Sequence, residues 1–362
     1  MKESVVSVIK RIELWLVIAL LALSGCQAQP AAPAAPEVAP ELGEIKQYLL
    51  DRSQALHDAT AALKTHSDRY YALAEASAFD YEQLWTTQRA PVIDTLQQAR
   101  AAWMAASPLY EQMEGIVAGT PRLAEYDVIL DAGGAAGAEN AVPFDLTLPD
   151  GRVLPKPGNL FGVTESALWG TEPAYVIAGV AADLDGDGVV SLGEALPDAS
   201  VLKAAVDALD SYAAALKTSA EAWQPSLTDA FTALVVMTPT MGEYFASWRD
   251  SRFVSGAAST QRDFVAISRL ADILDILSGL QVVYTQVQPL ARAVDAEQAA
   301  AVAGNLAALR SFVAEIHQQE QAGRRFTPEE ADIYGAEAQN RATAITGQIS
   351  QLAAQLAVEV AN

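Results

Sequence analysis

The chain has 362 residues, with 23 Lys and Arg against 45 Asp and Glu, for a formal net charge of −22. Such a surface repels nucleic acid and anionic lipid headgroups, which excludes both as expected partners, and it attracts cations. Its single cysteine has no partner for a disulfide, so the fold must be held by its core alone.

At the N-terminus Lys2, Lys10 and Arg11 precede an apolar run from Leu14 to Leu23, which ends in Leu23-Ser24-Gly25-Cys26. This reads as a signal peptide over residues 1–25. The run is shorter than the roughly 20 apolar residues of a spanning helix. A cysteine directly after Leu-Ser-Gly resembles the bacterial lipobox, which implies lipidation at Cys26. The mature chain is then expected to be lipid-anchored to a membrane of the bacterial cell envelope, facing the periplasm or the exterior. Residues 26–41 are the lipidated cysteine and an Ala/Pro-rich tether, a semi-extended spacer that sets the folded part off the lipid.

From residue 42 the pattern is helical. Leu42, Ile45, Leu49, Leu56 and Leu63 mark one amphipathic helix, with His57 and His66 on its solvent face. Phe264, Ile267, Leu270, Ile273, Leu277, Leu280, Val283, Val287 and Leu290 predict another, which Arg269, Asp272 and Asp275 keep out of a membrane. Thr327-Pro328-Glu329-Glu330 combines an N-cap, a first-turn proline and a capping-box glutamate. It opens a helix through Ile345, Ile349, Leu352 and Leu356. Between these, glycine, proline and alanine break every period from Gly133 to Gly158, and Leu146 to Leu154 predicts a hairpin turning at Asp150-Gly151. Long irregular insertions in helical domains usually carry function, so the site region is expected here.

Residues 183–194, DLDGDGVVSLGE, match the twelve-residue calcium loop of an EF-hand. Asp183, Asp185 and Asp187 occupy positions 1, 3 and 5, Gly188 the bend at position 6, and Glu194 the bidentate position 12. Val189 offers its carbonyl, Ser191 its hydroxyl directly or through water, and Val190 is expected to face the core. Calcium fits this hard oxygen set, which has no histidine or cysteine to favour zinc. A lone loop with Pro197 soon after it is expected to clamp its surroundings rather than act as a sensor.

Upstream of the loop, Phe161-Gly-Val-Thr-Glu165-Ser-Ala-Leu-Trp169-Gly170 resembles the signature of the imelysin-like family, Gly-Phe-His-x-x-Glu followed by an apolar stretch ending Leu-Trp-Gly. Ala102-Trp103 and Tyr110-Glu111-Gln-Met-Glu114 resemble its Trp…Tyr-Glu-x-x-Glu helix, and Asp127 and Asp131 keep the spacing of an aspartate pair in EfeO-type iron-uptake lipoproteins. The resemblance runs loosely over residues 42–358. It implies an all-α fold of two up-down helical bundles, residues 42–182 and 195–362, around the irregular insertion, hairpin and calcium loop. Trp103 and Trp169 are expected in the core.

The chain departs from that signature at Gly162, where the family has its histidine, and at Leu160, where it has the first glycine. His57, His66 and His317 lie far away in sequence. What the resemblance leaves is an all-oxygen set, Glu114, Asp127, Asp131 and Glu165, able to hold iron or calcium, or else to hydrogen-bond across the bundle. The expected function is a non-catalytic, calcium-stabilised binding protein for a cation such as iron, or for an envelope protein partner. The alternatives are a metallopeptidase of the imelysin type, which the missing histidine disfavours, and a calcium-dependent interaction module.

Overall fold

The structure, a computed structural model, describes residues 42–361; the expected signal peptide, Cys26 and the expected tether lie outside the described residues. Helix α1 (Gly43–Ala76) buries Ile45, Leu49, Leu56, Leu63 and Tyr70, a stripe four and seven residues apart that marks one helical face. Its histidines are half-buried rather than solvated, and His57 lies 4.0 Å from Asp210. The next helix, α2 (Tyr81–Val117), starts at Asp80, whose carboxylate accepts the Gln83 N–H at 2.9 Å. It kinks at Gln88, three residues before Pro91, because proline removes a backbone donor and crowds the preceding turn.

The insertion follows the expected plan. A short helical turn and a π turn cover 124–132, and strands β1 (Asp145–Thr147) and β2 (Val153–Pro155) pair antiparallel with Leu146 opposite Leu154. Gly151 takes the left-handed conformation (φ 86°) that the Asp-Gly turn requires. Then come α3 (Leu160–Trp169), α4 (Ala199–Ala222), α5 (Leu227–Met237), α6 (Met241–Asp250), α7 (Arg269–Val294), α8 (Ala296–Gln321) and α9 (Pro328–Gln355). The fold is all-α, with this two-stranded hairpin as the sheet among the described residues. The capping box at α9 forms in full, with the Thr327 hydroxyl accepting from Glu330 N–H and the Glu330 carboxylate from Thr327 N–H.

The division of helices between bundles differs from sequence order. Helix α4 packs on α1, where Thr60 donates to Asp210 at 2.9 Å, and so joins the first bundle although it follows the loop 183–194. Helix α7 packs against both α2 and α8 and is shared by the two bundles. A Cβ on Gly279 of α7 would stand 2.4 Å from the Gln112 carbonyl oxygen of α2, so the absence of a side chain is what lets these backbones approach.

Helix α7 also begins later than its apolar period predicts. Ser268 caps it, and Phe264 and Ile267 lie in the segment before it, with Phe264 at φ 56°. Arg269 and Asp272, read from the sequence only as charges that keep this stretch out of a membrane, are buried. Burial is tolerated because the Arg269 guanidinium donates to Asp272 at 2.8 Å and lies against the rings of Phe264 and Tyr244, at 3.9 and 4.5 Å.

Candidate metal centre

The close α2–α7 contact places the last turns of α2 against the start of α7. Glu111 and Glu114, three residues apart, share one face of α2, and both are 2% exposed. Opposite them Asp131 projects from the π turn Val128–Ala132. One carboxylate oxygen from each of Glu111, Glu114 and Asp131 lies within 4.8 Å of the others. Tyr244 donates to Glu114 Oε1, and Tyr110 donates to Asp127 Oδ1 at 2.7 Å. Asp127 therefore faces the same centre but is held by a phenol. The Oε2 atoms of both Glu111 and Glu114 have no hydrogen-bond partner among the described residues. Arg269 Nη1 stands 3.6 Å from Glu111 Oε1 and neutralises only part of this charge.

The electrostatics follow from that imbalance. Burial pushes Glu111 and Asp127 well above the usual carboxylate range, and neighbouring carboxylates push them further. Burial likewise pushes Asp131 up to about 8, against the pull of Arg269. Close buried carboxylates cannot all ionise cheaply, so protons or a cation must relieve them. The unpaired oxygens, an acceptor-only ligand set and the absence of imidazole or thiolate from it fit a hard cation. An open cleft of about 460 Å³, lined by Glu114, Asp127, Asp131, Tyr244 and Arg269, gives access from solvent.

Glu165 sits on the other side of this centre. Its carboxylate accepts three consecutive backbone N–H groups, from Phe264 at 2.7 Å, Val265 at 2.9 Å and Ala266 at 2.8 Å. Burial pushes it up to about 8, and those donors pull it down. Of the four carboxylates the signature suggests, Glu114 and Asp131 converge, Asp127 lies beside them through Tyr110, and Glu165 anchors the segment before α7.

A family model, Peptidase_M75 (Imelysin), matches residues 46–358, a span that takes in α2 to α9, all but the first three residues of α1, and every carboxylate of the centre. The chain belongs to the imelysin family. A search of curated proteins finds no match to it.

In this imelysin-family protein the loop 183–194 lies beside α2, where its acids also gather. Ligand oxygens of Asp183, Asp185, Asp187 and Glu194 lie within 4.8 Å of one another. Glu194 accepts N–H groups from Leu184, Asp185 and Ser191, which closes the loop on itself. Helices flank it on neither side: an isolated bridge between Val176 and Pro197 forms its base, and α4 starts only at Ala199. With no helix pair to pack on, Val190 is 51% exposed instead of facing a core. Val189 and Ser191 donate their backbone N–H groups to Asp187 Oδ1 at 2.7 Å and Glu194 Oε2 at 2.6 Å.

Two arginines of α2 dock this loop. Arg89 donates to the Asp183 carbonyl at 2.8 Å, and Arg100 donates to the carbonyls of Gly193 and, at 2.7 Å, Leu168. Trp169 packs beside Arg100 and is half-buried, whereas Trp103 is buried as expected.

Sequence reasoning missed Glu111, although it stands inside the quoted Tyr-Glu-x-x-Glu segment, and its i,i+3 spacing to Glu114 was the available signal. It also missed Asp263, Arg269 and Asp272. Nothing local announces these, since they lie over a hundred residues from Glu111 and read as solvated charges.

Proposed function

We propose that this imelysin-family protein is a non-catalytic cation-binding protein of the bacterial cell envelope, lipid-anchored through Cys26 and stabilised by calcium at the loop 183–194. Its cargo is a hard cation such as ferric iron, held by Glu111, Glu114 and Asp131. The observation that carries this reading is the pair of buried, unpartnered oxygens, Glu111 Oε2 and Glu114 Oε2, in a centre open to a cleft of about 460 Å³. A peptidase reading has less support, because glycine rather than histidine stands at position 162 and supplies neither base nor metal ligand.

Metal titration tests the proposal with the calcium loop disabled by Glu194→Gln. Binding of about one ferric ion per chain that disappears in Glu111→Gln/Glu114→Gln supports it. Equal binding in both proteins refutes it.

A second reading has its own observation. Val189, Val190 and Leu192 are 64%, 51% and 44% exposed, an apolar patch on the calcium loop that suits a calcium-dependent contact with an envelope protein. Calcium-dependent retention of that protein, abolished by Val190→Asp, would favour this reading.

A further inference from the structure

A narrow void of about 10 Å³, close to one water-sized sphere, is lined by two of the three converging carboxylates, Glu111 and Asp131. Its wall includes Glu111, Asp131, Gly162, Glu165, Asp263 and Asp272. Asp131, Asp263 and Phe264 also line the open cleft, so the void and the cleft adjoin at these three residues. Five carboxyl-bearing side chains thus share the wall of a site able to hold one small particle with Trp103, Phe161 and other residues, and Glu111 Oε2 in that wall has no hydrogen-bond partner among the described residues.

Asp263 occupies a specific place in that wall. A Cβ at Gly162 would stand 2.6 Å from Asp263 Oδ2, 3.3 Å from Asp263 Cβ and 2.9 Å from the N-cap Asn159 Oδ1, so the Asp263 carboxylate fills much of the space a side chain at position 162 would need. Its contact with its own neighbour is loose, since Arg262 Nη2 is 3.5 Å from Asp263 Oδ2. Asp263 Oδ1 accepts no hydrogen bond among the described residues. The backbone that presents Asp263 is fixed by the bonds of the next three N–H groups to Glu165.

We propose that Asp263 is a further ligand of the acidic centre, taking the place of any side chain at position 162 and making the centre all-oxygen, selective for a hard di- or trivalent cation over zinc. This inference rests on the cation-binding reading above. Asp263 lies outside the set whose oxygens converge within 4.8 Å and faces that set across the void, on the side next to the cleft. A cation entering from the cleft passes Asp263 and is closed in by it. Oxygen-only coordination favours ions that take six or more hard ligands, whereas zinc gains from imidazole or thiolate.

The experiment is isothermal titration of Tb³⁺, a hard-cation probe, and of Zn²⁺ into four proteins that all carry Glu194→Gln to silence the calcium loop. These are the parent, Asp263→Asn, Gly162→His and Gly162→His/Asp263→Ala. The expected results are Tb³⁺ binding to the parent and at least tenfold weaker Tb³⁺ binding to Asp263→Asn, with unchanged thermal stability. Gly162→His alone is expected to lower stability, because its Cβ meets Asp263. The double variant is expected to recover part of that stability, since Asn159 Oδ1 still stands 2.9 Å from the new Cβ, and to bind Zn²⁺ at least tenfold more tightly than the parent. Unchanged Tb³⁺ affinity in a folded Asp263→Asn overturns the inference while leaving the cation-binding reading intact. So does Gly162→His that is as stable as the parent and binds Zn²⁺ without the second substitution. A parent that binds no Tb³⁺ overturns both.

Discussion

The Glu165 carboxylate accepts the backbone N–H of Phe264 at 2.7 Å, and through it a residue of α3 fixes a segment 99 residues away in sequence. Phe264 is held there at φ 56°, a conformation unfavourable for a bulky side chain, and its ring packs 3.9 Å from the Arg269 guanidinium. The glutamate thus sets the position of both Asp263 and Arg269 at the acidic centre.

Glu165→Ala leaves three N–H groups without their acceptor. We expect a loss of about 3 kcal/mol in urea denaturation, given roughly 1–3 kcal/mol for each buried donor left unpaired and partial relaxation of the segment. Glu165→Gln keeps one acceptor oxygen and should lose less. Equal stability of Glu165→Ala and wild type would contradict the anchoring role.

Stability of the metal-free protein should fall as the pH rises from 6 to 8. Asp131 and Glu165 are pushed up to about 8 in the folded chain, above their ordinary values, so folding takes up protons. Their contribution is complete below about pH 4 and is lost as the pH climbs towards 8. Carboxylates held low by salt bridges, such as Asp68 and Asp150, titrate below this window and do not mask it. Thermal unfolding in chelator across pH 6–8 reads the trend directly, and a flat or rising Tm would count against it.

Calcium should stabilise the native chain. At millimolar calcium and a Kd near 10⁻⁴ M, the order typical of extracellular calcium modules, linkage raises the folding constant roughly tenfold. EDTA should reverse the effect, and Glu194→Gln should abolish it. Calorimetry that detects no calcium binding at millimolar ion would remove the loop assignment.

The α2–α7 crossing should tolerate no side chain at Gly279. Because its Cβ would stand 2.4 Å from the Gln112 carbonyl, Gly279→Ala must push the helices apart. The expected cost is about 1–3 kcal/mol by overpacking, accompanied by weaker cation binding, since Glu111 and Glu114 lie one residue before and two residues after Gln112. Gly304, with nothing near its own Cβ position, is the matched control, where alanine should be neutral or stabilising. Equal effects at the two sites would dissociate the crossing from the centre.

What the sequence by itself determined is what short stretches of chain encode. The Thr327–Glu330 capping box, the Asp150-Gly151 turn and the order of acids from Asp183 to Glu194 all fall within twelve residues, where backbone geometry alone fixes which groups meet. The apolar period likewise gave the interior of α7 but not its start, because Phe264 and Ile267 continue the pattern through a segment that Glu165 holds out of the helix. Only the tertiary structure decided which charges are buried. Arg269 and Asp272 sit in an amphipathic pattern where charge normally means solvent, and their burial follows from a partner on α2 and two aromatic rings, none of which the local period can reveal. The pairing of Asp263 with Gly162 is of the same kind: a glycine leaves room, and what fills it comes from a segment one hundred residues downstream that reaches the site only when α3 and α7 have packed.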